Sequence, residues 1–131
     1  MAVKPVEHAG AWLLPEVHDP ATGRIDAKKL AAVLGVKQAE LARALRVDRR
    51  VLGSKPTLPK LQERAAMLER ALAILIDYLG SVETARAWFQ TPNPNLEGRT
   101  PWEVCENVEE FPKGLEAVVR MIARVPEGIP A

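Results

Sequence analysis

Between Leu61 and Leu79 the apolar residues Leu61, Ala65, Leu68, Leu72, Leu75 and Leu79 follow one another at spacings of 4, 3, 4, 3 and 4. Only a helix brings residues at that spacing onto one face, so KLQERAAMLERALAILIDYLG must form the longest element, with a heptad-like seam. A second line, Met67, Ala71, Ile74 and Tyr78, runs beside the first. The helix is thus expected to be covered on two sides. One side can pack within the chain and the other can pair two chains, and a seam of this length equally suits a core helix of a monomer.

The remaining segments are also helical. Asp26 can cap a helix through Leu34, with Leu30, Val33 and Leu34 on one face and Gly35 ending it. Gly80 and Ser81 close the long helix and cap the next, SVETARAWFQ. An amphipathic helix follows Gly114 through Leu115, Val118, Val119 and Ile122, and Val125-Pro126 ends it before a short tail. No stretch alternates as a strand does. The expectation is an all-α fold in three parts: an arm at 1–24, a helix-turn-helix region at 25–60, and the long helix with a small C-terminal helical domain at 61–131. In the arm, Pro5, Gly10, Pro15, Pro20 and Gly23 interrupt any helical pattern, and Trp12, Leu13 and Leu14 are expected to anchor it loosely on the body.

Several function classes are excluded at this stage. Cys105 is the single cysteine, so no internal disulfide framework exists. His8 and His18 are the only histidines, which argues against a zinc site. The carboxylates are scattered over solvent faces, Cys105 has no neighbouring histidine in sequence, and no glycine loop cradles phosphate, so neither an enzyme nor a bound cofactor is expected. No apolar run is long enough to span a membrane, and the N-terminus lacks the apolar region of a signal peptide. A cytoplasmic location is expected.

Charge is unevenly distributed. Ten basic residues lie between Arg24 and Lys60 against Asp26, Glu40 and Asp48, a surplus of seven positive charges, although the whole chain carries only +1. From Leu61 onward acidic residues outnumber basic ones, which suggests two surfaces with different partners. In the basic part, VKQAELARALRVDRRVLGSKP predicts a helix from about Gln38 to Leu45, a turn at Arg46-Val47, and a short helix from about Asp48 to Gly53. This is the layout of a helix-turn-helix, with Ala42 small enough for the two helices to cross and Leu41, Leu45, Val47 and Leu52 as apolar anchors. In such a motif the second helix enters the major groove. Lys37, Gln38 and Arg43 are then candidates for phosphate, Arg49 and Arg50 for base edges, and Ser54 and Lys55 for base or backbone contacts. QAELARAL resembles the Xre/Cro-repressor type of helix-turn-helix. Arg46 stands where that family usually has a turn glycine, and Gly53 and Pro56 cut the reading helix short.

WFQTPNPNLEGRTPWEV, residues 88–104, concentrates proline and asparagine between two helices. Thr100 can cap the next helix, Pro101 suits its first position, and Glu103 completes a capping box. Asn93 and Asn95 can hold turns, Pro92 and Pro94 restrict the chain, Gly98 permits a bend, and the planar fork of Arg99 can bind carbonyls or a carboxylate. These residues predict a rigid, pre-formed loop. The stretch resembles the signature of the toxin-binding domain of Xre/MbcA/ParS-type antitoxins, through Trp88, Asn93-Pro94 and Gly98-Arg99-Thr100-Pro101. The resemblance covers about Asp26 to Ala131.

It implies a type II antitoxin that neutralises a RES-domain toxin, an enzyme that degrades NAD, by blocking the toxin's active-site cleft. It also implies an autorepressor that binds its own operator DNA as a homodimer or within a larger toxin–antitoxin complex. The toxin-binding residues carried over are Trp88, Asn93, Pro94, Arg99 and Thr100, with the tail Glu127, Gly128, Ile129, Pro130 and Ala131. Capping chemistry assigns Thr100 and Pro101 to shape, whereas a short tail after a terminated helix has little core to join. The competing reading is a stand-alone helix-turn-helix regulator whose C-terminal half only dimerises.

Overall fold

The Asp26 carboxylate accepts from the backbone N–H groups of Lys28 (2.9 Å) and Lys29 (3.3 Å) and so starts α1 (Ala27–Leu34). These positions belong to a computed structural model that describes residues 13–107 and 111–123. Gly35 ends α1 at φ 77°, and Val36 N–H closes the turn onto the Ala31 carbonyl at 3.1 Å. The same device ends α2 (Gln38–Leu45): Arg46 adopts φ 61° and Val47 N–H bonds to the Ala42 carbonyl at 3.0 Å. Arg46 thus takes the left-handed conformation usually left to glycine. Asp48 caps α3 (Arg49–Ser54), accepting from Arg50 N–H at 2.7 Å.

A 3-10 turn at Pro59–Leu61 leads into the long α4 (Gln62–Leu79), which Gly80 ends at φ 96°. Ser81 Oγ accepts from Thr84 N–H at 3.1 Å to start α5 (Val82–Phe89). Beyond the proline-rich loop come α6 (Pro101–Asn107) and α7 (Phe111–Ala123). Among the described residues no strand forms, only one isolated bridge between His18 and Ile25. The all-α expectation is borne out.

The seam of α4 is occupied from within. Leu61, Ala65, Leu68, Leu72 and Leu75 are all 0–1% exposed and belong to one cluster that runs from Leu14 to Val118. α7, α5 and α1 pack on α4, while α6 packs on α2, α5 and α7. Of the readings open for this helix, packing within the chain is the one this seam follows: it is the core of one chain. Of the second line, Ala71 is buried, Met67 and Ile74 are partly covered, and Tyr78 is exposed. Periodicity had marked an apolar face without saying what covers it.

The N-terminal segment also differs from expectation. Trp12 lies outside the described residues, but residues 13–25 are docked rather than loose. Val17 and Ile25 are buried, and the Glu69 carboxylate reaches up from α4 to hold the segment. Its Oε2 accepts from Leu14 N–H at 2.8 Å and lies 2.8 Å from His18 Nε2. His18 Nδ1 must carry a proton, because it donates to the Gly23 carbonyl at 2.9 Å and a carbonyl can only accept. Gln62 adds two bonds to the backbone of Ile25, at 2.8 and 2.9 Å. His18 is thus a buried structural residue.

Gly35 is where backbone and packing demands coincide. A Cβ there would lie 2.6 Å from Arg86 Cδ, and Arg86 is held by its Nε–H bond to the Val33 carbonyl at 2.9 Å. Gly35→Ala is expected to lose on the order of 2 kcal/mol from left-handed strain and displacement of Arg86. At Gly80, equally left-handed but with open space around its Cα, alanine should lose only about 1 kcal/mol. Urea unfolding midpoints of the two variants check this; equal losses would mean that Arg86 yields without cost.

Candidate functional site

Two surfaces carry the sequence-predicted residues. On the first, the N-terminal end of α2 and the body of α3 enclose a shallow, open groove lined by Lys37, Gln38, Ala39, Arg49, Arg50 and Gly53. Packing fixes this arrangement, because Leu41, Ala42, Leu45 and Leu52 are buried and α2 and α3 lie directly against each other. Lys37, Gln38, Arg49, Arg50, Ser54 and Lys55 are all exposed. The glycine at 53 leaves room beside Gln38, whose Oε1 would be 3.9 Å from a Cβ at that position.

Three of the predicted residues are engaged within the chain, Arg50 only loosely, its Nε 3.5 Å from Asp48 Oδ1. Ser54 Oγ donates to the Arg50 carbonyl at 2.9 Å, so its hydroxyl proton serves the helix. Arg43 Nε donates to Glu106 Oε2 of α6 at 2.8 Å. That pair joins α2 to the C-terminal half, with the Glu106 side chain only 11% exposed. Five residues separate Arg43 from Gln38, which puts them on different faces of α2. The structure brings Arg43 to α6, away from the groove residues. Sequence reasoning missed Glu106, since nothing local relates positions 43 and 106.

On the second surface, the loop between α5 and α6 is closed by its own backbone. Asn93 N–H bonds to the Arg99 carbonyl at 2.9 Å, and the Asn93 carbonyl accepts from Leu96 (2.9 Å) and Gly98 (3.0 Å). The Asn93 side chain accepts from Asn95 N–H at 2.9 Å, at the start of a 3-10 turn over Pro94–Leu96. Glu97 and Gly98 both take positive φ, 60° and 84°, to bring the chain back. The glycine was legible; the left-handed Glu97 carried no sequence signal. The capping box forms as expected: Thr100 N–H donates to Glu103 Oε1 at 2.8 Å, and Glu103 N–H to Thr100 Oγ1 at 3.0 Å.

These bonds divide the motif residues. Asn93 and Thr100 direct their polar groups inward to the loop. Pro94 and Arg99 are exposed, and Arg99 bonds the Leu96 carbonyl through Nε at 3.2 Å. That bond uses Nε, and among the described residues no bond holds either Nη group, so both can meet a carboxylate or carbonyl of another molecule. Trp88 is partly buried and meets Phe89 edge-on at 5.7 Å, while Phe89 meets the buried Trp102 edge-on at 6.4 Å. The loop therefore stands on an aromatic base. The tail residues Glu127, Gly128, Ile129, Pro130 and Ala131 lie outside the described residues.

The chemistry of these surfaces is that of binding. Burial pushes the Cys105 thiol up to about 12, so it is protonated at neutral pH and unsuited to nucleophilic attack. Among the described residues no group of acids, histidines and cysteines could hold a metal ion, and no helix is long and apolar enough to cross a membrane. Comparison with known families gives one finding. Residues 74–128 match the model of the antitoxin Xre/MbcA/ParS C-terminal toxin-binding domain, which begins in the second half of α4 and takes in the whole loop. No curated protein matches the chain.

Proposed function

We propose that this chain, whose residues 74–128 match the Xre/MbcA/ParS toxin-binding domain, is a non-enzymatic antitoxin that neutralises a RES-domain toxin that degrades NAD. The observation that carries this reading is the family match over the loop and the helices that support it. Trp88, Asn93 and Thr100 hold the loop in shape, and Pro94 and Arg99 are presented to the toxin. The tail Glu127, Gly128, Ile129, Pro130 and Ala131 enters the toxin's cleft, where Glu127 attracts a cationic group. Toxin and operator place the antitoxin in the cytoplasm.

The same chain binds operator DNA through the exposed basic groove of α2 and α3. Lys37, Gln38 and Lys55 hold phosphates, and Arg49 and Arg50 stand where α3 meets the DNA. Arg43 contributes charge only when its bond to Glu106 opens. Two copies of the chain, alone or joined by toxin, place two helix-turn-helix units on successive turns of DNA.

Removal of residues 127–131 separates binding from folding. The shortened chain is expected to unfold at the same urea concentration as the full one, yet to lose neutralisation when co-expressed with the product of the neighbouring gene. Full protection by the shortened chain would overturn the role of the tail.

A further inference from the structure

On the operator reading above, we propose that Asp48 is a positioning residue that makes Arg50 the base reader of the helix-turn-helix and leaves Arg49 to the phosphates. The two arginines are neighbours on α3, and both are exposed, but their surroundings differ. Asp48 Oδ1 accepts from Arg50 N–H at 2.7 Å and also lies 3.5 Å from Arg50 Nε, at ion-pair rather than tight hydrogen-bond distance. No corresponding bond or ion pair holds Arg49 among the described residues. The Arg50 backbone N–H, and after it the Arg50 guanidinium, hold the Asp48 carboxyl below its usual range, so the brace is charged at neutral pH.

This asymmetry has a chemical consequence. An arginine drawn to a carboxylate through Nε keeps both Nη groups for a second partner, and that edge matches the O6 and N7 acceptors of guanine. The braced pair has no net charge, and the Asp48 carboxylate repels phosphate. Such a group gains little from the DNA backbone but can still donate to a base edge. Arg49 acts on Asp48 only through space, as the smallest of the influences that lower its carboxyl, and with no bond to it keeps more of its charge for any phosphate regardless of sequence. Little else on α3 competes for the reading role: Gly53 has no side chain, and the Ser54 hydroxyl proton is taken by the Arg50 carbonyl. Discrimination between sequences is therefore concentrated in one arginine and the acid that orients it.

Asp48→Asn isolates the brace, because asparagine caps a helix about as well as aspartate while lacking its charge. Asp48→Ser, another good cap, serves as a second variant in case the amide forms a new contact. The probes are a duplex of the region upstream of this chain's own gene and a shuffled duplex of equal length, each titrated over a range of salt. Arg50→Ala is expected to weaken binding to the upstream duplex by about 10-fold or more and to change shuffled binding little. Arg49→Ala should weaken both alike and reduce the salt slope by about 0.9. Both Asp48 variants should bind the shuffled duplex several-fold more tightly, so that the preference for the upstream duplex narrows.

An unchanged preference in both Asp48 variants overturns the brace while leaving the operator reading intact, as does a loss of preference in Arg49→Ala but not in Arg50→Ala. A wild-type chain that binds the two duplexes equally overturns the operator reading and the brace with it.

Discussion

A chain carrying Leu72→Asp is expected not to fold. Leu72 is fully buried in the middle of α4, in the cluster shared by residues from Leu14 to Val118. Aspartate there loses the buried apolar side chain and places a carboxylate among hydrocarbon with no partner designed for it. Truncation alone of a buried leucine costs about 2–5 kcal/mol, and an unpaired buried polar group adds further loss. Against a total stability of roughly 5–15 kcal/mol for a domain, the native state should not survive. Far-ultraviolet circular dichroism and size exclusion measure the outcome. A folded monomer would mean that the seam joins two chains, contrary to the packing described here.

The second large effect lies at Glu69. Its carboxylate holds Leu14 N–H and His18 together in a site where the His18 and Glu69 side chains are 4% and 2% exposed. Glu69→Ala leaves the Leu14 N–H buried without its acceptor and His18 Nε2 without its partner, and each buried polar group so orphaned costs about 1–3 kcal/mol. The loss should appear first as release of residues 13–25, because Val17 and Ile25 depend on that anchor to reach the core. Hydrogen exchange at the Leu14 and Ile25 amides and protease cleavage near His18 are the readouts. Glu69→Gln, which retains an acceptor for Leu14, should lose less. Native protection of both amides in Glu69→Ala would show that the apolar contacts suffice.

How much of this was legible depended on the distance between cause and effect. The bounds of α1, α2 and α3 could be read because Asp26, Gly35 and Asp48 act on residues within one turn. The Thr100–Glu103 box was legible for the same reason. The role of Glu69 was not: its partners lie 51 and 55 residues away in a segment whose prolines and glycines suggest looseness. In retrospect, an acid beside an otherwise apolar seam was the available signal. The Arg43–Glu106 pair likewise spans 63 residues, and helix periodicity shows only that Arg43 is on a polar face. The Asp48–Arg50 pair is local, yet an acid at the start of a helix signals a cap and nothing more. Capping and guanidinium pairing use the same carboxylate oxygen.

The α2–α6 contact also bears on the relation between the two surfaces. The segment that matches the toxin-binding family is not hung from α1–α3 by a linker; it shares α4 and packs α6 directly on α2. Its loop is closed by its own bonds, with Asn93 and Arg99 paired across it, so its shape does not wait for a partner. A pre-formed loop reduces the entropy lost on binding, which favours tight association with a partner.

The proposed neutralisation of an NAD-degrading toxin is tested most directly by cellular NAD. The product of the neighbouring gene is expressed in cells alone and together with this chain, and NAD is measured in both. NAD should collapse with the neighbour alone and stay at its normal level when both are present. Collapse that persists on co-expression, or no collapse at all from that neighbour, would contradict the account.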